Sequence, residues 1–376
     1  MDHKNLVDIR LKLDSLDEQI VDLLKKRLDL VKSACDVKNS LGEGAYSHER
    51  EESILSHVES YAKTLSLPEN YVKDLWRRIL RESYKGVIGH FACTTDKNTK
   101  VVIVGGNGGM GQIFTRYFKS SDYDVISFEP SDWDRASEIL KGAKIVIISV
   151  PIDVTLEVIK RLSPYLTEDM ILCDLTSVKA PYVEAMCKYH KGPVLGLHPM
   201  FGPDVKSLVK QVIVSVPERF ADKSAFLVEQ FSLWGARLVK CDAKEHDEAM
   251  SIIQALRHFT TYAYGTFLSK ENPSLKNILM LSSPIYRLEL LMVGRLFAQN
   301  PRLYADIIMS SKKNFELIKA YAESIKPELE VIYKKDMETF IKRFIEARDY
   351  FGEYAQQFLK DSGALLAKFQ DDKEGF

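Results

Sequence analysis

The sequence has no apolar run long enough to cross a bilayer. Stretches such as residues 145–151 fall far short of the about 20 residues a transmembrane helix needs. The opening segment, MDHKNLVDIR, has no apolar signal core. Cysteines are few: Cys35, Cys93, Cys173, Cys187 and Cys241 are scattered, odd in number and without CxxC spacing. That pattern argues against a structural zinc site and for a reducing compartment. Net charge is −1, so there is no bulk electrostatic drive toward nucleic acid or acidic lipid. No internal repeat or low-complexity tract interrupts the 376 residues, whose 45% apolar content is enough for sizeable cores. The expectation is a soluble cytoplasmic protein with no membrane or nucleic-acid partner and no metal.

Residues 1–90 also have few glycines and one proline, Pro68, and read as all helix. Residues 92–99, ACTTDKNT, are polar, lack periodicity and read as a linker. From Lys100 the pattern changes. Short β-branched runs at 101–104, 125–128, 145–150, 171–174 and 212–216 alternate with amphipathic segments, which predicts a parallel sheet wrapped by helices. After about Cys241 the strands stop, and 244–370 carry only helical patterns, with breaks near Pro273, Pro284, Pro301 and Pro327. The expected organisation is a helical bundle at 1–91, a linker at 92–99, an α/β domain at 100–242 and a helical domain at 243–376. The apolar faces of that last region exceed what one sheet edge can cover, so it should supply a dimer interface.

Leu6, Ile9, Leu13, Leu16, Ile20, Leu23, Leu30, Ala34 and Val37 repeat at three- and four-residue steps, predicting one long helix with a coiled-coil-like seam. Arg27 occupies a seam position that calls for an apolar residue, and a charge there is costly unless an anion meets it. Lys38 follows after about three turns and nearly eclipses Arg27. Arg10 lies roughly 25 Å from Arg27 along a straight helix, too far to share a small-molecule site within one chain. An antiparallel partner helix would bring it there, so a dimer is inferred in which each site borrows Arg10 from the other subunit. A second helix should start at Ser47 as N-cap, with Ile54, Val58 and Tyr61/Ala62 inward and Arg50-Glu51 one turn earlier. A third should run over 71–85 with Leu75 and Ile79 inward and Ser83 beyond them. Each polar residue alone reads best as a solvated charge or a cap.

Taken together, Arg10, Arg27, Lys38, Arg50-Glu51 and Ser83 over residues 5–85 resemble the motif of the all-helical chorismate mutases. The resemblance implies rearrangement of chorismate to prephenate, a reaction that needs a dicarboxylate held compactly and an ether oxygen stabilised. It places Arg10 and Arg27 on the carboxylates and Lys38 on the ether oxygen. Arg50 and Glu51 shape the site and bind the ring hydroxyl. Val87 stands where the family often has Gln or Glu, and Ser47 where an acidic residue is common, which implies a weaker mutase.

The run at 101–104 leads into Gly105-Gly106-Asn107-Gly108-Gly109-Met110-Gly111, followed by helical spacing at Ile113, Phe114 and Tyr117. Gly106-x-Gly108-x-x-Gly111 thus sits between strand and helix, the context a dinucleotide fingerprint requires. Gly106 should permit the turn, Gly108 admit the pyrophosphate and Gly111 let the helix pack on the strand. The second strand ends at Glu129, whose carboxylate should accept from ribose hydroxyls and repel a 2′-phosphate, favouring NAD over NADP. The third ends at Ser149-Val150-Pro151, where the nicotinamide half belongs.

Gly196-Leu197-His198-Pro199-Met200-Phe201-Gly202 follows a short strand at 193–195, placing His198 beside the crevice where α/β proteins bind ligands. With Asp174-Leu-Thr-Ser177-Val-Lys179, Gln254-Ala-Leu-Arg257-His258-Phe259 and Ser282-Ser-Pro-Ile-Tyr-Arg287 continuing to Gly294-Arg295, this closely resembles the dehydrogenase half of bifunctional chorismate mutase/prephenate dehydrogenases, from about residue 100 to 365. The resemblance implies an all-α mutase bundle, a Rossmann-type NAD domain and an all-α dimerisation domain. It also implies oxidative decarboxylation of prephenate to 4-hydroxyphenylpyruvate with NAD. His198 would take the proton of the ring hydroxyl and Ser177 would orient His198 or touch the same hydroxyl. Arg295 would bind the departing carboxylate. His258 would line the pocket and contribute to binding tyrosine, the family's usual inhibitor, and Arg287 is a further substrate-side candidate that also fits a structural role. Other readings stay open: a degenerate helical module in place of the mutase, a non-catalytic NAD-responsive sensor, or a 3-hydroxyacid dehydrogenase. The last should carry a catalytic lysine motif in its C-terminal helices, and none is present.

Overall fold

A computed structural model describes residues 3–44, 46–85 and 91–371; Val87 lies outside them. The chain forms two compact units, Met1–His246 and Asp247–Phe376. None of the described helices is long and apolar enough to cross a membrane.

The first unit opens with helices α1 (His3–Ser40), α2 (His48–Thr64) and α3 (Glu69–Lys85). Ser47 caps α2, its side chain accepting from the Arg50 amide at 3.2 Å. The seam of α1 is exposed along Leu6, Ile9, Leu13, Leu16, Ile20, Leu23, Leu30 and Val37, while Val31 and Cys35 pack against the core of the following sheet domain. The buried stripes of α2 and α3 keep the expected Val58 and Ala62 but otherwise differ from the expected ones. Leu55, Val58 and Ala62 are inward on α2, with Val72 and Leu80 on α3, whereas Tyr61 and Leu75 are exposed. The physical reason is that α2 also turns a face toward the sheet domain, and Leu55 lines a crevice with Lys210, Gly235 and Ala236. Periodicity within one helix does not report a contact of that kind.

The sheet domain runs β1 (Lys100–Val104), α4 (Gly109–Lys119), β2 (Asp124–Phe128), α5 (Ala136–Leu140), β3 (Ile145–Ile148), α6 (Ile152–Leu162), β4 (Ile171–Asp174), α7 (Ala180–Tyr189), β5 (Val194–Pro199), β6 (Val212–Arg219), α8 (Ala225–Leu233) and β7 (Arg237–Lys240). Strand order is β2-β1-β3-β4-β5-β6-β7. β1 to β5 pair in parallel. β6 runs antiparallel to β5 and parallel to β7, so the sheet is not wholly parallel. Pairing with β6 also carries β5 through His198 to Pro199, beyond the short strand expected. Val101, Ile103, Ile145, Ile147, Ile171 and Cys173 face one core with Phe114, Phe118, Phe231 and Trp234. Val102, Val104, Val146, Ile148 and Leu172 face the other. Burial on both faces explains the continuous β-branched runs. The 92–99 segment is a loop, but a fastened one: Thr94 donates through its amide and hydroxyl to Gln230 Oε1, at 3.0 and 3.1 Å.

Helix α9 (Ala243–Met250) leads through a π-helical turn, Ser251–Leu256, into α10 (Arg257–Glu271) of the second unit. Then follow α11 (Leu275–Leu281), α12 (Pro284–Phe297), α13 (Pro301–Ile308), α14 (Lys312–Lys334), α15 (Met337–Phe351) and α16 (Glu353–Asp371). Three expected breaks hold. Asn272 ends α10 in the left-handed region (φ 47°), Ser283 precedes Pro284 at the start of α12, and Asn300 caps α13, whose first residue is Pro301. Pro327 does not break its helix; it lies inside α14. Proline removes one helical hydrogen bond, and here the whole stretch is exposed, so water can satisfy the carbonyl left over. α10 packs on α12 through Gly265, where a β-carbon would fall 2.1 Å from Phe297 Cε2.

Candidate active sites

In the helical bundle, the half-buried Arg27 donates from Nη1 to Ser83 Oγ at 2.7 Å. Ser83 in turn donates to the Ile79 carbonyl. Burial pulls the Arg27 guanidinium below its ordinary value, opposed by Tyr84. Glu51 is buried at 5% exposure. Its carboxylate accepts from Tyr84 Oη at 3.0 Å and pairs with Lys210 Nζ. The Tyr84 hydroxyl is pushed up by burial and by Glu51, so it stays a donor. Arg27, Ser83, Tyr84 and Glu51 are thus gathered by three helices. Lys38 is on the same helix as Arg27 and partly exposed. Arg10 is exposed far along α1, and Arg50 is exposed on α2.

In the sheet domain, β1 ends in a glycine loop whose bareness is sterically required. Gly105 takes φ +79°, and a β-carbon there would lie 2.4 Å from the Ser149 carbonyl oxygen. The left-handed turn therefore falls to Gly105 rather than to Gly106 as expected. At Gly106 a β-carbon would lie 2.4 Å from Ser127 Oγ, and at Gly111 2.4 Å from the Gly105 carbonyl oxygen. Gly109 abuts Pro203, where a β-carbon would be 2.8 Å from Pro203 Cβ. Gly108 is different: it is exposed and precedes α4 as its N-cap without a side chain. A β-carbon there would lie 3.2 Å from the Gly105 carbonyl oxygen, a tight contact, and its absence also leaves the helix N-terminus open to an anion. Met110, the second residue of α4, packs on the core. Glu129 follows β2 and accepts from the Asn107 amide at 2.8 Å. A reciprocal pair of bonds with Asp132 fixes it further. These residues fit a dinucleotide. Ser149 and Val150 follow β3, and Pro151 begins the turn into α6.

Ser149, Ser177 and His198 all sit at the carboxyl edge of neighbouring parallel strands, the edge that also carries the glycine loop. His198 is buried, and its Nδ1 lies 2.9 Å from His246 Nε2. Burial, then the Lys179 cation, then His246 hold its pKa well below the ordinary histidine value. Lys179 is fully buried, pairs with Asp174 and donates to the Leu197 carbonyl at 2.8 Å. Asp174 also accepts from the Thr176 amide at 3.0 Å. At Gly196 a β-carbon would meet Val183 Cγ2 at 2.9 Å and the passing lysine stem, Lys179 Cδ, at 3.2 Å. Ser177 Oγ is buried without a hydrogen-bond partner in the structure, so it does not bond His198. An unsatisfied buried hydroxyl at a strand end is costly unless a ligand meets it.

His246 was missed by sequence reasoning, because it lies in an ordinary helical pattern with no motif around it. Asp174 and Lys179 end the stretch Asp174-Leu-Thr-Ser177-Val-Lys179, but nothing in their spacing marks a buried ion pair. His258, Arg287 and Arg295 belong to the second unit. His258 is partly buried with its ring edge-on to Tyr304 at 4.8 Å, and burial followed by Arg257 lowers its pKa. Arg287 is partly buried near the start of α12, and Arg295 is exposed near its end.

A doubly wound sheet with a glycine loop and a buried imidazole at its carboxyl edge defines a nucleotide-dependent dehydrogenase, here joined to a helical bundle with a second polar site. The family model for chorismate mutase type II matches residues 9–86. The models for the prephenate dehydrogenase nucleotide-binding domain and dimerization domain match 129–239 and 242–346. The T-protein of Haemophilus influenzae is 45% identical over 98% of this chain and 98% of its own, and that of Enterobacter agglomerans is 46% identical over 98% and 99%. A crystal structure of prephenate dehydrogenase from A. aeolicus, with hydroxyphenyl propionate and NAD+, shares the fold at TM-score 0.53 and 18% identity, covering 69% of this chain and 99% of that one. The chain belongs to the T-protein family, the bifunctional chorismate mutase/prephenate dehydrogenases.

Proposed function

We propose that residues 1–91 rearrange chorismate to prephenate, and that 100–242 with 243–376 oxidise and decarboxylate prephenate to 4-hydroxyphenylpyruvate, in the cytoplasm. Arg27 and the partner subunit's Arg10 hold the substrate carboxylates, Lys38 donates to the ether oxygen, and Arg50 and Glu51 shape the site. Ser83 holds Arg27 in place. The exposed α1 seam supports this reading, since it is an apolar stripe suited to an antiparallel copy of itself. The exposed aromatics of the second unit, including Tyr262, Phe297, Phe340 and Phe344, support a homodimer as well.

The observation that carries the dehydrogenase reading is the buried His198–His246 pair. His198 Nδ1 and His246 Nε2 share one hydrogen bond, so one of the two nitrogens must donate. With Nδ1–H of His198 donating to His246, its Nε2 keeps a lone pair and accepts the proton of the prephenate ring hydroxyl. Burial and then Lys179 keep the ring neutral, and the unpaired Ser177 hydroxyl completes the contact to that oxygen. Arg295 binds the carboxylate that leaves as carbon dioxide. Arg287 and His258 line the substrate side, and tyrosine, which shares the substrate's shape and a carboxylate, competes there. Bound NAD supplies the hydride acceptor. Gly106, Gly108, Gly109, Met110 and Gly111 hold its pyrophosphate, and Ser149, Val150 and Pro151 flank its nicotinamide half.

A lowered imidazole pKa leaves the base unprotonated to lower pH. The kcat/KM for prephenate should therefore stay level as pH falls through the usual histidine range and drop only below it. Lys179→Met removes a cation that depresses the value, so the acid limb should move to higher pH. A limb at the ordinary value in the native enzyme, unmoved by the substitution, would contradict the assignment.

The preference for NAD over NADP is inferred from Glu129, fixed by Asn107 and Asp132, while Arg135 is engaged by Glu138 at 3.1 Å. Glu129→Ala should raise KM for NAD and narrow the preference over NADP by on the order of tenfold, measured by initial rates with both cofactors. An unchanged ratio would remove Glu129 from the ribose site.

A further inference from the structure

Glu51 is the most buried charged residue of the mutase site, and its cation comes from outside the mutase helices. Lys210 lies between β5 and β6, in the segment that begins just after His198 and passes Gly109 at Pro203. The backbone of this half-exposed lysine is fixed. It is in the left-handed region (φ 64°), and its amide donates to the Gly235 carbonyl at 2.8 Å. Gly235 is itself at φ +89°, and a β-carbon there would meet Val209 Cγ2 at 2.8 Å and Tyr46 Cβ at 3.2 Å. The ammonium sits 5.4 Å over the Tyr46 ring, which in turn lies edge-on to Tyr84 at 5.5 Å. Tyr84 hydrogen-bonds Glu51 Oε2 while Lys210 takes Oε1. Each carboxylate oxygen therefore has one fixed donor, and each keeps acceptor capacity for another. A buried carboxylate that loses one of its two fixed donors loses orientation.

We propose that Lys210, carried by the dehydrogenase domain, is a positioning residue of the mutase: it holds the Glu51 carboxylate aimed so that it can accept from the ring hydroxyl of chorismate. The inference rests on the reading of Glu51 as part of the mutase site. It makes that site a composite of two domains, with one strand-to-strand connection serving both reactions. Lys210 itself touches no substrate.

The test is steady-state kinetics on full-length enzyme, with chorismate for the mutase and prephenate plus NAD for the dehydrogenase, on Lys210→Met, Lys210→Arg, Glu51→Gln and the double variant Lys210→Met/Glu51→Gln. The ratio of mutase to dehydrogenase activity in each preparation cancels any loss of folded protein. Lys210→Met should lower that ratio by on the order of tenfold, mainly through a higher KM for chorismate, and Lys210→Arg should recover most of it. The double variant should be no worse than Glu51→Gln, because Lys210 acts through Glu51 alone. If Glu51→Gln cripples the mutase while Lys210→Met leaves the ratio and KM unchanged, the positioning role is overturned and the mutase reading stands. If Glu51→Gln itself leaves the mutase intact, the assignment of Glu51 falls and this inference falls with it. Additive losses in the double variant would likewise overturn the proposal.

Discussion

His198→Asn should lower prephenate oxidation by about three orders of magnitude, within the 10²–10⁴-fold typical of a general base, while chorismate turnover continues. The expectation follows from geometry. The imidazole is buried at the penultimate position of β5, and its Nδ1 is engaged by His246 at 2.9 Å. Asparagine presents a polar group of similar reach but cannot take up a proton at neutral pH, so binding of prephenate should survive better than turnover. Its pH profile should lack the acid limb. The same argument assigns a smaller effect to His246. Replacement by leucine leaves the Nδ1–H of His198 buried without an acceptor, which favours the other tautomer, and should cost on the order of tenfold to a hundredfold. Glutamine restores an acceptor and should recover part of the loss. Full activity in His198→Asn, measured as NADH formed from prephenate, would remove the imidazole from the chemistry.

Arg27→Ala should lower the mutase by 10²–10³-fold, the cost of removing one preorganised charged donor from a site that works by electrostatic stabilisation. Nothing in this reaction needs a proton acceptor or a covalent partner, so positioned charge is all the protein offers. Arg27 is half-buried, fixed by Ser83 at 2.7 Å, and sits where the helix seam would otherwise be apolar. Ser83→Ala keeps the guanidinium but frees it, and should cost less than Arg27→Ala. Loss of the guanidinium also relieves a desolvated charge, so the variant should be no less stable than the native enzyme, as judged by urea unfolding. Undiminished conversion of chorismate in Arg27→Ala would remove it from the site.

Much of this was legible in the sequence because local patterns report local physics. Ser47 announced the start of α2, the glycine loop marked β1 and α4, and asparagine or serine before proline marked three helix boundaries. Strands buried on both faces appeared as unbroken β-branched runs. What was not legible depends on contacts between distant segments. The antiparallel turn of β6 is set by a connection whose direction no periodicity records. Leu55 rather than Ile54 faces inward because α2 is bounded by the sheet domain as well as by α3. Pro327 looks like a break in any sequence, yet an exposed helix tolerates it. His246 and Lys210 act on His198 and Glu51 across 48 and 159 residues, and neither stands in a motif. The Asp174–Lys179 pair is close in sequence, but its complete burial is a property of the folded sheet.

The sharpest measurement of the account is complementation between two lesions. Supplied with chorismate and NAD, Arg27→Ala and His198→Asn enzymes should each form almost no NADH alone. Mixed together they should form it after a lag, as prephenate made by one is oxidised by the other. A silent mixture, or NADH from the His198→Asn enzyme alone, would contradict two separable sites built around that guanidinium and that imidazole.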